Sequence, residues 1–142
     1  MLPVARFAMI GAAAVAALAA SSLALSSAAS SAAPASTPEQ SFTENCSACH
    51  QVDGKGIPGA FPALAGDAFV VGPASAPIGV VLNGRAGMPT FKADLTDEQI
   101  AAALTYVRTS WGNAATPVTP DQVKALRTGA APVPDKQPTQ AH

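Results

Sequence analysis

The sequence predicts a small, mostly α-helical domain. Three segments open with a helix N-cap signature, no segment alternates apolar and polar residues as a half-buried strand would, and glycine- and proline-rich stretches separate the helical ones. The chain has 142 residues, 49% of them hydrophobic, but only 5% aromatic, and most of the apolar residues are alanines that bury little area. Both ends are low in complexity, so the foldable middle is roughly 75–95 residues, at the small end of what folds unaided. A domain of that size often needs a staple, and a large prosthetic group is one. The formal net charge of −1 provides no basic surface for nucleic acid.

Residues 1–35 read as an export signal or an N-terminal membrane anchor. One cation, Arg6, precedes an uncharged run from Phe7 to Ser36, whose apolar part reaches Leu25. That part exceeds a typical signal core and just attains the length of a membrane-spanning helix, although alanine keeps its hydrophobicity mild. Ala33-Pro34-Ala35 and Ser27-Ala28-Ala29 each offer small residues to a peptidase. A cytoplasmic low-complexity tail is the plain alternative. In either exported form the remainder of the chain lies outside the cytoplasm, and cleavage leaves seven basic against nine acidic residues, a charge of −2.

Thr37-Pro38-Glu39-Gln40 starts the first helix, with Thr as N-cap, Pro at the first helical position and Gln at the third. Phe42 and Cys46, four residues apart, share one of its faces. Gln51 to Gly66 holds four glycines and two prolines and is expected to be loop. Weak helices are expected over Ala68–Gly72 and Ile78–Leu82, and GRAGMP (residues 84–89) is again loop. The strongest helix follows Thr96: Gln99 completes a capping box, Asp97 and Glu98 suit the positive dipole end, and Gly112-Asn113 ends it. Ile100, Leu104, Val107 and Trp111 recur along it as one apolar stripe. Thr119-Pro120-Asp121-Gln122 opens a short last helix carrying Val123 and Leu126 within an extension, 114–129. Residues 130–142 are Pro-rich and expected to be disordered.

The chemistry concentrates in CSACH, where both cysteines of the chain, Cys46 and Cys49, precede His50. Four readings compete. A dithiol redox site normally follows a strand, and none precedes it. A zinc site needs four ligands, and only the tail residue His142 is left to help. A Cys46–Cys49 disulfide suits an exported protein but closes so short a loop that it adds little, and it leaves His50 unexplained. Covalent haem attachment uses all three residues: two thiols one turn apart reach the two vinyl groups, and the adjacent His falls under the iron. This last reading accounts for the motif best. Met88, in the loop 84–89, is the only methionine outside the leader and is the candidate sixth ligand, with gap-filling in the core as the bland alternative.

Over residues 37–113 these features resemble a class I c-type cytochrome. Phe42 stands where that family has a first-helix aromatic, and Cys46, Cys49 and His50 match its attachment motif. Gly54 and Gly56 match the glycines that follow, Pro62-Ala63-Leu64-Ala65-Gly66 its Pro-x-Leu-x-Gly segment, Met88-Pro89 its distal loop, and the helix ending at Trp111 its last helix. The resemblance implies a small class I fold, helices and loops wrapped around one haem c, with 36–113 as the haem domain. It implies that Cys46 and Cys49 become thioethers, that His50 and Met88 bind the iron, and that the Pro62 carbonyl accepts a hydrogen bond from His50. GAFPALAG, GMPTFKADLTDEQIAAALTYVRTSWGN and VTPDQVKALR further resemble haem domains in cytochrome subunits of bacterial membrane-bound dehydrogenases. Those subunits carry several haem motifs and this chain has one.

Ile57, Phe61, Leu64, Phe91, Ile100 and Leu104 are then expected to wall the haem. Arg85 and Trp111 are candidates for propionate hydrogen bonds, against a solvated Arg and a helix-anchoring Trp. Lys55 and Lys92 are candidates for steering a partner, against a solvated pair. The implied function is a one-electron carrier in a bacterial respiratory or dehydrogenase-linked chain, not itself an enzyme. Its donor would be a dehydrogenase or quinol oxidoreductase, and its acceptor a terminal oxidase or another cytochrome. It would be periplasmic, soluble or tethered to the inner membrane through its N-terminal segment. The alternatives are a fixed cytochrome subunit of a membrane-bound dehydrogenase or oxidase, a haem enzyme or gas sensor with displaceable Met88, and a thiol oxidoreductase.

Overall fold

The structure, a computed structural model, describes residues 36–135. The expected leader in residues 1–35 and the end of the tail, including His142, lie outside the described residues. Six helices follow one another: α1 (Pro38–Asn45), α2 (Ser47–His50), α3 (Ala68–Val71), α4 (Ser75–Asn83), α5 (Asp97–Thr109) and α6 (Pro120–Thr128). Among the described residues there is no strand, only isolated bridges between Ile57 and Phe61 and between Arg85 and Met88. No helix among them is long and apolar enough to cross a membrane. The fold is mostly helical, as expected.

The helix starts obey local chemistry. The Thr37 hydroxyl accepts the Gln40 backbone N–H at the head of α1, and both bonds of the capping box form at Thr96/Gln99 and at Thr119/Gln122. Asp67 accepts the backbone N–H groups of Phe69 and Val70, which allows α3 to exist as a single turn. Helix α4 starts earlier than the expected Ile78, at Ser75, because Pro77 falls in its first turn, where a missing N–H costs no helical bond.

Helix α5 ends three residues before the expected Gly112. Ser110 is extended and Trp111 turns into the left-handed region at φ 54°. The orphaned carbonyls of the last turn are met by the returning chain: Asn113 donates to Val107 O at 2.7 Å, and the Ala115 backbone N–H donates to Arg108 O at 3.0 Å.

The single apolar stripe expected on α5 is two stripes. Ile100, Ala101 and Leu104 pack with Ile78 and Leu82 of α4 and Val123 of α6. Ala103 and Val107 pack instead with Phe42 of α1 and Val70 of α3. The alanines, easily dismissed in a sequence, are what let α5 be flanked on both sides. Phe42, Tyr106 and Trp111 close the second cluster as a three-ring contact with centroids 5.1–5.4 Å apart, two of the three pairs edge-to-face.

Helix α6 folds back over the segment preceding α5. Arg127 pairs with Asp97 at 2.7 Å and donates to Leu95 O at 2.9 Å and to Lys92 O. The tail, expected to be disordered from 130, is described as far as Asp135. There its carboxylate accepts the Ala74 N–H at 3.1 Å and the Gln122 side-chain N–H at 2.9 Å.

Candidate functional site

The two clusters of α5 leave a cleft of about 390 Å³ between them, within the size range of cofactor sites. It is lined mostly by apolar side chains, and its sulfur and nitrogen donors come from two separate parts of the chain. Cys46, Cys49 and His50 arrive from the break between α1 and α2, and Met88 from the loop after α4. The break has a local cause: Cys46 leaves helical geometry at φ −126°, and the one-turn α2 then carries Cys49 and His50.

His50 is buried, and its Nδ1 lies 2.9 Å from the Pro62 carbonyl oxygen. A carbonyl can only accept, so Nδ1 carries the proton and Nε2 is left with a free lone pair. The loop that brings Pro62 there is knotted by its own backbone. Leu64 N and Ala65 N both donate to Gly54 O, Gly56 N donates to His50 O, and Ile57 and Phe61 exchange both of their bonds. Gly56 sits at φ +62° where a Cβ would collide with the carbonyls of Phe61 and Pro62, and at Gly54 a Cβ would collide with the Trp111 indole. Both positions demand glycine.

Asn113 clamps the same loop to the end of α5. It accepts from Gly66 N at 2.8 Å and donates to Leu64 O at 3.0 Å and Val107 O at 2.7 Å. The sequence reading saw only a helix stop there. Arg108 was also passed over. It is 1% exposed and placed four residues after the core residue Leu104, and a cation on an apolar face was the signal available for it.

Met88 is half-buried in a loop pinned on both sides. Arg85 and Met88 exchange backbone bonds of 3.2 and 2.9 Å, the Thr90 hydroxyl donates to Leu82 O at 2.6 Å, and Phe91 N donates to Val81 O at 2.9 Å. The loop therefore hangs rigidly from α4.

Of the expected wall residues, Phe61, Leu64, Phe91, Ile100 and Leu104 line the cleft. Ile57 does not: it is 41% exposed, turned outward by the tight Ile57–Phe61 bridge. Of the two candidate anion partners, Arg85 lines the cleft, its guanidinium 5.0 Å from the centre of the Phe69 ring. Trp111 is instead occupied with Phe42 and Tyr106. Lys55 is exposed and already paired with Asp53 at 3.3 Å, and its backbone N–H is the main reason the Asp53 carboxyl is held below the usual range.

No disulfide joins Cys46 to Cys49; Cys49 is exposed and Cys46 partly covered. Burial, with the neighbouring Cys49 adding to it, pushes the Cys46 thiol up to about 11. A dithiol redox site relies on a depressed thiol, and burial shifts Cys46 the other way. Among the described residues no three of His, Cys, Asp and Glu converge as a metal cluster. A haem fits: a mostly apolar slot, two thiols for its vinyl groups, an imidazole with a free Nε2, a thioether, and one cation at the rim.

Comparison with known proteins agrees. A family model described as cytochrome c oxidase, cbb3-type, subunit III matches residues 33–107. Cytochrome c-552 of Thermus thermophilus is 39% identical over 102 residues, spanning 58% of this chain and 78% of its own. The cytochrome c subunit of the quinone alcohol dehydrogenase of Gluconacetobacter polyoxogenes is 36% identical over 107 residues, covering 66% of this chain but 23% of that subunit. Among solved structures, cytochrome c6 of the diatom Phaeodactylum tricornutum aligns at a TM-score of 0.43 and 33% identity, over 52% of this chain and 90% of that one.

Proposed function

The chain belongs to the cytochrome c family and is a haem electron-transfer protein with one haem c attached through Cys46 and Cys49; we propose that His50 and Met88 hold its iron and that it serves as a one-electron carrier between larger redox proteins. One observation carries this reading: His50, with Nδ1 bound to Pro62 O at 2.9 Å, opens into the same cleft as Met88. When bound, the haem supplies a ferrous/ferric couple. The protein supplies everything that keeps that couple fast and selective.

The Pro62 carbonyl fixes the tautomer and orientation of His50 and raises its basicity. The loop 84–91, pinned to the end of α4, holds the Met88 sulfur in place. A thioether is a soft ligand and favours the ferrous state, which raises the potential relative to two imidazoles. If His50 and Met88 both held the iron, little room would be left there for a small molecule to bind. Arg85 is placed to pair with a haem carboxylate at the rim. The exposed position of Cys49 puts that edge of the cleft within reach of a partner surface.

The donor is a dehydrogenase or quinol oxidoreductase and the acceptor a terminal oxidase or another cytochrome, in the periplasm or at the outer face of the inner membrane. The match to dehydrogenase cytochrome subunits favours a second form of the same role, a fixed subunit of such a complex. Mass spectrometry and ferric spectra of protein from a host that matures c-type haem test the reading. Expected are one attached haem, a new N-terminus near residue 35 if the leader is cleaved, and low-spin iron. A high-spin ferric iron overturns the ligand assignment.

A further inference from the structure

Arg108 is the most buried charged side chain among the described residues, and every donor atom it has is engaged. Its Nη1 donates to Val70 O at 2.6 Å and to Gly72 O at 2.7 Å, the carbonyls that end α3. Its Nε donates to Thr116 O at 2.8 Å, and Nη2 reaches Thr116 Oγ1 at 3.3 Å and Asp135 Oδ2 at 3.7 Å. Asp135 is itself held by Ala74 N, at the start of α4, and by Gln122 of α6. A chain of contacts therefore runs from the C-terminal segment through one buried guanidinium to α3.

Helix α3 has four residues, far too few to be stable alone. Its position depends on the Asp67 cap at one end and on Arg108 at the other. Phe69 and Val70 of α3 form one wall of the cleft, and Phe69 carries the Arg85 guanidinium. Residues 114–135, which supply Thr116, Gln122 and Asp135, lie beyond the 33–107 stretch that the family model matches.

We infer that Arg108, latched by Asp135, is a positioning residue for the haem site: it holds the α3 wall closed, so that the C-terminal extension sets how much water reaches the haem and thereby tunes its reduction potential. The inference rests on the cleft being the haem site. Water at a haem stabilises the more highly charged ferric state, so a loosened wall lowers the potential.

The test uses the full-length, haem-loaded protein. Arg108→Lys keeps the charge but cannot span two carbonyls and Thr116, and Asp135→Asn releases the latch. Thr96→Ala, which removes the N-cap at the opposite end of α5, controls for simple loss of stability. Spectroelectrochemistry reads the ferrous:ferric ratio at one applied potential, and hydrogen exchange reads the amides of residues 68–76. Expected is a several-fold fall in the ratio for both variants, with faster exchange confined to 68–76, and neither change in Thr96→Ala. For Asp135→Asn the sign is diagnostic, because losing a negative charge by itself raises the ratio. A ratio that is unchanged or raised, with melting temperature lowered as in Thr96→Ala, overturns the inference. If Arg108→Lys does not fold, Asp135→Asn decides alone. Attached haem in the parent protein is measured first, so a failed haem assignment is distinguished from a failed latch.

Discussion

Replacing Asn113 with Ala probes the joint between the proximal loop and α5. The side chain is buried and makes three hydrogen bonds, all to backbone groups: Gly66 N, Leu64 O and Val107 O. At about 1 kcal/mol net for each bond, with extra cost where a buried group is left unpaired, the loss is about 3 kcal/mol. That is a large share of the roughly 5–15 kcal/mol that stabilises a typical domain. Urea titration of the haem-loaded protein, followed by far-UV circular dichroism, measures it. With a slope of about 1.5 kcal/mol/M, the midpoint falls by about 2 M. Asn113→Asp separates the contributions: it keeps an acceptor for Gly66 N but sets a carboxylate against two carbonyls, so it is at least as damaging as Ala. A loss below about 1 kcal/mol for Ala, or recovery of parental stability by Asp, refutes the clamp.

Other outcomes follow from the site. Met88→Ala leaves the haem attached and lowers the reduction potential, and an unchanged potential in a redox titration counts against Met88 as a ligand. His50→Ala blocks normal maturation and leaves a largely unfolded domain; a well-folded apoprotein by circular dichroism contradicts that. Gly56→Ala costs at least about 1–2 kcal/mol from its left-handed backbone alone. Because its Cβ meets the carbonyls of Phe61 and Pro62, it also displaces the acceptor of His50 Nδ1, seen as a changed His50 ring-proton resonance. Phe42→Ala removes the ring shared by Tyr106 and Trp111 and costs about 3–5 kcal/mol in the same denaturation assay.

Much of this is legible in the sequence. Thr37, Thr96 and Thr119 announce their helices because a cap is chemistry between residues three apart, and such chemistry is written in consecutive letters. CSACH is legible for the same reason. The Pro62–His50 bond was expected only through family resemblance, since nothing local connects residues 12 apart. What escaped was long-range and polar. Arg108 looks like an ordinary helical cation until Val70, Gly72 and Asp135 are placed around it. Asn113 looks like a terminator until Leu64 and Gly66 arrive. Ile57 was misjudged because hydrophobicity alone does not say which way a tight turn points its side chain. The second stripe of α5 was hidden by alanines, whose value lies in the close approach they permit.

The clamp at Asn113 has a temporal side. Cys46, Cys49 and His50 sit within five consecutive residues, so a maturation enzyme can recognise and modify them on an extended, newly made chain. The loop that orients His50 is secured by a residue 49 positions after Leu64, and contacts that distant form late because the chain must first close a long loop. Attachment of the pigment can thus precede its final seating. The proximal loop is then finished only once Asn113 reaches Leu64 and Gly66.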